Sequence, residues 1–344
     1  CVRMAGLALR RLETATATHR SVPELLYSRS EWQDQPRLPG DIDIAQTLSV
    51  FVALSDPERI AALREQLRGA HVEALPDAAD SLEPAMLAVL RHLQTRIGEH
   101  RRTQVCIVVP DTEQGQLLAP LLALLKTARL ESSRIDGKLI RVAGLAAMRA
   151  GPLAELIGAE SRAHGQQVRI DPQGRRQVRH QVELAVAAPT TPVFREGGVY
   201  WITGGGGGLG QIVARELARV GNVRLVLSGR SGAPAHGLAA DYFEADVSVA
   251  ADVRRVVAAI LDKYGVLNGV IHCAGVLDDA FIINKGERQV AAVFAPKVRG
   301  VQNIDHATRD IGLDFLLLFS SVAAVHGGAG QADYSVANAF LDAY

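Results

Sequence analysis

Two serines and a tyrosine late in the sequence have the residue types and the spacing for proton chemistry at an oxygen atom. Ser320 and Ser321 end an apolar run, Asp314–Ser321, that predicts a buried strand, and Tyr334 follows thirteen residues after Ser321. A carbonyl that accepts hydride needs a proton donor for the developing alkoxide and a hydrogen bond that holds its oxygen. Ser321 can hold the carbonyl oxygen and Tyr334 can deliver the proton; the adjacent Ser320 is the alternative to Ser321, since neighbouring strand residues point to opposite faces.

A tyrosine that acts as an acid needs a nearby cation, because the cation lowers the hydroxyl pKa from about 10. The segment 333–344 predicts a helix on which Tyr334 and Asn338, four residues apart, share one face. Residue 338 is not a lysine, so the cation must come from elsewhere. Lys297, in the segment Phe294–Gly300, is our candidate. The alternative for Lys297 is an ordinary lysine on a solvated helix.

A glycine-rich segment further upstream predicts a phosphate-binding loop. Five successive glycines, Gly204–Gly208, lie between a predicted strand at Gly198–Thr203 and a predicted helix at Leu209–Val220. In such a loop, backbone N–H groups approach a pyrophosphate and the helix N-terminus faces its charge. The alternative is a flexible glycine linker, which the flanking strand and helix disfavour. The residues expected to bind a dinucleotide here are Thr203, Gly204, Gly206, Gly207, Gly208, Leu209 and Gly210.

The residues after the next strand favour a phosphorylated dinucleotide. The predicted strand Val223–Leu227 is followed by Ser228, Arg230 and Ser231, and no acid occurs before Asp241. An acid at this place binds the ribose 2′-hydroxyl of NAD, whereas an arginine accommodates the 2′-phosphate of NADP. We therefore expect NADPH as the cofactor, in contact with the two serines and the arginine. The alternative for Arg230 is an ordinary surface arginine.

Two later strands complete the predicted cofactor site. A strand at Phe243–Val247 places Asp246 near the adenine edge, and Gly269–Gly275 predicts a strand that ends in Cys-Ala-Gly. Ligands of open α/β sheets bind outside such carboxyl ends. We interpret the Cys273 side chain as a small packed residue. The contacts expected from these two strands are Asp246, Val247, Cys273, Ala274 and Gly275.

Strand-like and helix-like segments alternate from about residue 23 onward, which predicts an α/β fold. The first half has no glycine-rich loop, so we interpret it as a structural unit without a cofactor. A linker is predicted at Ala188–Pro192, where two prolines interrupt regular structure. The elements predicted in the first half are strands at 48–54, 104–109 and 138–142 and helices at 82–99 and 116–130. The side chains predicted to face inward from the helix after the glycine loop are Ile212, Val213 and Leu217.

The composition excludes several classes of function. With 37 basic and 37 acidic residues among 344, the chain has no net charge, which argues against a nucleic-acid or membrane-surface partner. The three cysteines have no disulfide-like or metal-like spacing, and no apolar run reaches the roughly 18 residues of a membrane span. No signal peptide opens the sequence. We expect a soluble, cytoplasmic, two-domain protein without a metal.

Residues 198–344 resemble the ketoreductase domain of modular polyketide synthases, a branch of the short-chain dehydrogenase/reductase superfamily. Other members of that superfamily have a lysine four residues after the tyrosine. In these ketoreductases the lysine lies on an earlier helix and an asparagine takes its place. The resemblance implies a catalytic tetrad of Lys297, Ser321, Tyr334 and Asn338, in which the asparagine positions a water or the lysine. The segments that carry the resemblance are Thr203–Gly210, Leu225–Ser231, His272–Asp279, Ala295–Gly300, Phe319–Val322 and Gly330–Tyr344.

The segment Val276–Asp279 resembles the Leu-Asp-Asp signature of B-type ketoreductases, which give a D-configured β-hydroxyl. The A-type mark is a tryptophan eight residues before the tyrosine, and that position holds His326 here. The resemblance implies that Leu277, Asp278 and Asp279 guide the side from which the substrate enters. The alternative for Asp279 is an ordinary loop carboxylate.

The resemblance also implies an architecture. We expect a catalytic subdomain with a Rossmann-like, doubly wound parallel sheet, preceded by a truncated Rossmann-like structural subdomain. Leu25–Trp32 resembles the opening strand of that structural subdomain, and Cys1–Leu12 resembles the last strand of a dehydratase domain. The expected boundaries are 1–15 for a dehydratase tail or linker, 16–190 for the structural subdomain and 191–344 for the catalytic one.

Two features depart from the family pattern. The segment from Ser231 to Asp241 has hardly any room for a helix between parallel strands, which need a crossover of about a dozen residues. The sequence also ends in the helix that carries Tyr334, whereas the family continues with further strands and a lid. We therefore expect a catalytic subdomain that is incomplete at its C-terminal end.

The implied reaction is NADPH-dependent reduction of the β-keto group of a polyketide intermediate. The intermediate is held as a phosphopantetheine thioester on an acyl carrier protein, and other synthase domains, including an upstream dehydratase, are further expected partners. One alternative is a catalytically silent structural domain, which the intact tetrad and glycine loop disfavour. Another is a fatty-acid-synthase reductase or a free-standing short-chain dehydrogenase. The long first half disfavours the free-standing enzyme.

Overall fold

The computed structural model describes residues 9–10, 25–37, 47–76, 82–99, 101–184, 193–220, 222–232 and 238–344. Within these ranges, no helix is long and apolar enough to cross a membrane. In the same residues, no group of three or more His, Cys, Asp and Glu side chains could hold a metal ion. The predicted linker Ala188–Pro192 lies outside the described residues.

The first half forms a mixed sheet of eight described strands. They are β1 (Leu9–Arg10), β2 (Leu25–Asp34), β3 (Thr47–Val52), β4 (His71–Ala74), β5 (Thr103–Pro110), β6 (Ile135–Val142), β7 (Gln167–Ile170) and β8 (Arg176–Leu184). Their order is β1-β2-β8-β7-β6-β5-β3-β4. The pairs from β4 to β7 are parallel, whereas β7 with β8, β8 with β2, and β2 with β1 are antiparallel. The parallel part fits the predicted Rossmann-like alternation.

Five described helices accompany this sheet, and one prediction about them is wrong. The predicted single helix at 116–130 is divided at Ala119 and Pro120. Proline has no backbone N–H to donate to the carbonyl four residues earlier, so it begins a second helix instead of continuing the first. The helices are α1 (Pro57–Gln66), α2 (Leu82–Gly98), α3 (Glu113–Leu118), α4 (Leu121–Glu131) and α5 (Ala150–Glu160).

The second half forms a parallel sheet of five described strands, which confirms the predicted Rossmann-like fold. The strands are β9 (Val199–Thr203), β10 (Arg224–Gly229), β11 (Ala240–Glu244), β12 (Gly269–His272) and β13 (Phe315–Leu318). Their order is β11-β10-β9-β12-β13. The described helices are α6 (Gly208–Val220), α7 (Ala250–Tyr264), α8 (Glu287–Phe294), α9 (Gly300–Thr308), α10 (Ala323–His326) and α11 (Ala332–Ala343). A π-helical turn, Ala295–Arg299, joins α8 to α9.

The third strand of this sheet lies earlier in the chain than predicted. The expected strand was Phe243–Val247, but β11 ends at Glu244, and the backbone N–H of Ala245 donates to Gly229 O as the last bond of the ladder. The backbone N–H of Asp246 then donates to the side chain of Asp252 in α7, which turns the chain away from the sheet. β10 and β11 pair in parallel although only residues 230–239 connect them, and the described residues of this connection contain no helix.

Two burial predictions in the second half are also wrong. Ile212 is 57% exposed, because α6 turns Gln211, Ala214 and Leu217 toward the sheet and leaves Ile212 off that face. The last strand was expected to be buried, but β13 is only half-buried along its length, since it is an edge strand among the described residues.

The two halves share part of their hydrophobic core. One buried cluster combines side chains from α2 and α4 of the first half with side chains from α8 and α11 of the second. Met86 and Leu124 represent the first half in this cluster, and Val293 and Phe340 represent the second. The helix that carries Tyr334 is therefore packed against the half that has no glycine loop.

Candidate active site

The predicted site residues gather at one edge of the second sheet. β9, β12 and β13 are parallel neighbours, so their carboxyl ends lie side by side. The glycine loop follows β9, the segment Cys273–Gly275 follows β12, and Ser320 and Ser321 follow β13. Ligands of open α/β sheets bind at such an edge.

The glycine loop is closed on its inner side and open on its outer side. Gly204 has a φ of +67°, and a Cβ at this residue would lie 2.7 Å from the backbone nitrogen of Ala274. A Cβ at Gly210 would lie 2.4 Å from Gly204 O. A Cβ at Gly208, the first residue of α6, would meet no atom within 4 Å. The exposed segment from Gly206 to Leu209 therefore leaves room at a helix N-terminus, which fits a dinucleotide pyrophosphate.

Two of the predicted cofactor residues after β10 are exposed at the end of that strand. Arg230 and Ser231 both face solvent. The backbone carbonyl of Ser231 accepts a hydrogen bond from the Tyr242 hydroxyl at 2.6 Å, which fixes the start of the connection to β11. The guanidinium of Arg230 is therefore available to an anion near the carboxyl edge of the sheet.

Four other predicted cofactor residues point into the protein. Ser228 is fully buried, and its hydroxyl accepts a hydrogen bond from Trp201 Nε1 at 2.9 Å. Thr203 is fully buried as well, and Val247 belongs to the core. Asp246 Oδ1 accepts hydrogen bonds from the backbone and the hydroxyl of Ser248. The side chains of Thr203, Ser228 and Val247 are therefore buried, whereas that of Asp246 is half-buried and bonds within its own turn.

Lys297 lies in the π-helical turn, and its side chain extends to the carboxyl end of β13. Its side chain is almost entirely buried, and Nζ donates to the carbonyl of Phe319 at 3.0 Å. Nζ lies 5.7 Å from the centre of the Tyr334 ring. Burial lowers the pKa of Lys297 to about 8, with Cys273 and Asp342 opposing the shift. The ammonium is thus held between the end of β13 and the predicted proton donor.

Tyr334 and Asn338 share one face of α11, as predicted. The Asn338 side chain is fully buried and its Nδ2 donates to Tyr334 O at 2.8 Å. Asn338 Oδ1 is buried and has no hydrogen-bond partner among the described residues. An acceptor left in this state fits the role of holding a water or an ammonium.

The two serines have different surroundings. Ser320 Oγ donates to the backbone carbonyl of Asn338 at 3.1 Å. Ser321 Oγ accepts from the backbone N–H of Ala323 at 3.2 Å, a bond that leaves the hydroxyl proton of Ser321 unused. Ser321 is half-buried at the open edge. Its hydroxyl has the correct polarity to donate to a carbonyl oxygen.

His272 is a residue of the site for which no sequence motif predicts a function. It is fully buried, with Nδ1 2.7 Å from Thr203 Oγ1 and Nε2 3.0 Å from the carbonyl of Pro296. A carbonyl only accepts, so Nε2 carries the proton and Nδ1 accepts from the threonine. Burial, followed by the charge of Lys297, lowers the pKa of His272 to about 3. The neutral imidazole ties the π-helical turn to β9, and the signal for it was a histidine at the end of an apolar strand.

The Leu-Asp-Asp segment contacts the loop that precedes α11. Leu277 is exposed, whereas Asp279 Oδ2 accepts from Gln331 Nε2 at 3.1 Å. The backbone N–H of Ala280 donates to Gly330 O at 2.9 Å. The predicted stereocontrol residues therefore lie next to the start of the helix that carries Tyr334.

The sequence and the structure both match known proteins. The KR domain family model matches residues 198–344. Polyketide synthase PksL of Bacillus subtilis (strain 168) is 33% identical over the whole of this chain. The crystal structure of a ketoreductase domain from the bacillaene assembly line is 30% identical, with a TM-score of 0.80, and the match covers 92% of this chain and 79% of that one. The chain belongs to the polyketide synthase ketoreductase family.

Further matches define the extent of this similarity. Polyketide synthase ThaG of Burkholderia thailandensis is 46% identical over 44% of this chain. The chain spans less than a tenth of the curated synthases that it matches: 8% of PksL and 3% of ThaG. Solved A1-type and C2-type ketoreductases are 22% and 21% identical, so they show the fold alone. Ketoreductase domains are oxidoreductases of a superfamily that uses nicotinamide cofactors.

Gly208→Ala and Gly204→Ala should separate binding from folding at the glycine loop. The methyl group that Gly208→Ala adds would meet no protein atom within 4 Å. The free energy of unfolding should therefore change by less than about 0.5 kcal/mol. The methyl group occupies the open face and should weaken dinucleotide binding about tenfold. Gly204→Ala should destabilise the fold by about 1–3 kcal/mol, because its φ is positive and Ala274 is close. Chemical denaturation and cofactor fluorescence titration measure the two effects; unchanged binding in Gly208→Ala would contradict the assignment.

Proposed function

We propose that this domain uses NADPH to reduce the β-keto group of an acyl chain held as a thioester on the phosphopantetheine arm of an acyl carrier protein. The proposed product is the D-configured β-hydroxyl. The observation that carries the proposal is that buried Lys297 bonds to the end of β13, two residues before Ser321, and lies 5.7 Å from the ring of Tyr334 on the helix that also carries Asn338. A catalytically silent domain would have no need to bury a lysine beside a tyrosine at this edge.

The proposed chemistry assigns one task to each side chain. NADPH, when bound at the glycine loop, supplies the hydride. The Ser321 hydroxyl donates a hydrogen bond to the substrate carbonyl oxygen, and the Tyr334 hydroxyl gives its proton to the oxygen as the alkoxide forms. The Lys297 ammonium stabilises the tyrosinate that remains. Asn338 Oδ1, a buried acceptor, holds a water or the ammonium in position for the return of the proton.

The steric outcome and the partners are proposed on different grounds. The Leu277–Asp279 segment matches the B-type signature and is hydrogen-bonded to the loop before α11, which supports a role in guiding the substrate. The curated relatives are multidomain synthases, which supports other synthase domains as partners. The carrier protein follows from the proposed substrate, since a β-ketoacyl chain on such a synthase is a carrier-bound thioester.

Tyr334→Phe, with a matched pair of serine variants, tests the proposed function. In the full chain supplied with NADPH and a β-ketoacyl thioester, Tyr334→Phe should lower kcat by about 10²–10⁴-fold, because it removes the acid. Ser321→Ala should lower kcat by about 10²–10³-fold, because it removes the donor to the oxygen. Ser320→Ala is the control and should have the smaller effect, because the Ser320 hydroxyl donates to a backbone carbonyl. Product configuration is read by chiral chromatography.

Two results would contradict the proposal. A folded wild-type chain that oxidises no NADPH with such thioesters would support the silent structural domain instead. An L-configured alcohol would keep the reductase and remove the role proposed for Leu277–Asp279.

The pH profile should report the buried lysine. Lys297 has a pKa of about 8, so its ammonium is lost as the pH rises through that value and kcat should fall above it. Lys297→Met should lower kcat at pH 7 about 100-fold and abolish the break near pH 8. Steady-state kinetics from pH 6 to pH 10 would measure both. A wild-type profile that stays flat over this range would remove Lys297 from the mechanism.

Arg230→Ala should change the preference between the two nicotinamide dinucleotides. The proposed partner of the exposed guanidinium is the 2′-phosphate, so its loss should raise the KM for NADPH about tenfold. The KM for NADH should stay the same, because NADH has no such phosphate. Parallel titrations with both dinucleotides measure the ratio, and an equal rise for both would contradict the assignment.

A further inference from the structure

A buried ion pair lies directly behind the candidate active site. Lys285 and Asp333 are 2% and 1% exposed, and Lys285 Nζ is 3.0 Å from Asp333 Oδ1. Lys285 Nζ also donates to the backbone carbonyl of Asp278 at 2.6 Å. Neither residue of the pair belongs to the predicted catalytic, cofactor-binding or stereocontrol sets.

This pair is a costly way to stabilise a fold. Removing two charges from water costs more than their attraction returns in many proteins, and well-packed apolar residues serve stability as well or better. Asp333 Oδ2 is buried and lacks a hydrogen-bond partner within the described part of the chain. Burial raises the pKa of Asp333 against the opposing charge of Lys285. A buried ion pair that is unfavourable for stability and lies next to Tyr334 indicates that the pair serves to position the residues around it.

The pair connects the substrate-side loop to the catalytic helix. Asp333 Oδ1 accepts the backbone N–H of Tyr334 at 2.9 Å, while the ammonium of Lys285 holds the carbonyl of Asp278. The Lys285 ammonium thus bonds to both the loop and the helix, which the hydrogen bond from Gln331 Nε2 to Asp279 Oδ2 also joins. A backbone hydrogen bond from Ala280 N–H to Gly330 O connects the same two parts of the chain.

Side chains from the first half hold the same two segments. Glu131, the last residue of α4, accepts the backbone N–H of Gly330 at 2.9 Å and that of Ile282 at 2.6 Å. Gln94 Nε2 donates to the carbonyls of Ile282 and Lys285, each at 2.9 Å. The backbone around Lys285 is therefore held by the first half, while the position of its ammonium is set by Asp333 Oδ1 and the carbonyl of Asp278.

We propose that Lys285 and Asp333 are a positioning pair that sets the Leu277–Asp279 loop against the first turn of the helix carrying Tyr334. The consequence is control of the side and the distance at which a substrate carbonyl meets the proton donor. This inference rests on the proposed function only for that consequence, since the coupling between the loop and the helix exists without turnover.

Lys285→Met and Lys285→Met/Asp333→Asn, made in the full chain, test the pair. The single variant leaves a buried carboxylate unpaired and should lose thermal stability. The double variant carries no buried charge at this pair and keeps an acceptor for Tyr334 N–H, so its unfolding midpoint should recover. Its kcat should stay about 10–100-fold low, because no ammonium joins the Asp278 carbonyl to residue 333, and the ratio of D to L alcohol should shift. A purely structural pair would give kcat and product ratio that recover together with stability.

Lys138→Met is the matched control. Lys138 and Glu160 form another buried pair, 4% and 0% exposed with Nζ and Oε2 3.5 Å apart, in the first half. This variant should lose stability while kcat per folded molecule and the product ratio stay unchanged. Equal changes in the product ratio for Lys138→Met and Lys285→Met would overturn the proposal.

Hydrogen exchange decides the coupling independently of turnover. The Ala280 amide touches neither substituted side chain, and its exchange should become at least about tenfold faster in the double variant but not in Lys138→Met. Wild-type-like exchange at Ala280 in the double variant would overturn the proposal. If the wild-type chain reduces no β-ketoacyl thioester, the proposed function fails, and the exchange experiment still tests the coupling of loop and helix.

Discussion

A lysine ammonium that is only 4% exposed has to be satisfied by the protein around it, because an unpaired buried charge is among the most expensive features of a fold. Lys297 meets this requirement through the carbonyl of Phe319 at the end of β13. The π-helical turn that contains Lys297 is held by His272, whose Nε2 donates to Pro296 O. These contacts at the carboxyl edge of the second sheet keep the Lys297 ammonium in place.

The neutral state of His272 is part of the same constraint. A second cation beside Lys297 would repel it, and burial together with Lys297 keeps the imidazole uncharged. The Thr203 hydroxyl donates to the imidazole, so the side chain of this residue orients His272, which in turn holds the turn that carries Lys297. Gly275 belongs to this arrangement too, because a Cβ there would lie 3.2 Å from Lys297 Cε. The end of β9, the segment after β12 and Lys297 are therefore constrained by the same set of contacts.

The sequence was sufficient for features that depend on local pattern and insufficient for those that depend on distant contacts. Apolar runs predicted β5 and β9, and the i, i+4 spacing predicted the shared face of Tyr334 and Asn338. The break between α3 and α4 at Pro120 is visible in the sequence as a proline, but the apolar periodicity continues across it and predicts one helix. The shift of the third strand could not be read, since its register is set by pairing with β10. Lys285 and Asp333 are 48 residues apart, and only the fold shows that both are buried together.

The two adjacent serines show how the constraint on Lys297 extends to the proton donor. Phe319 holds the lysine, and the next residue, Ser320, donates to the carbonyl of Asn338. Asn338 in turn donates to Tyr334 O, so the end of β13 fixes both the cation and the helix that carries the acid. Ser321 is half-buried, and its Oγ accepts only the backbone N–H of Ala323 among the described residues. Two residues of this short segment thus bond to the lysine and the helix, whereas the hydroxyl proton of Ser321 is not used within it, so the two adjacent serines are not equivalent.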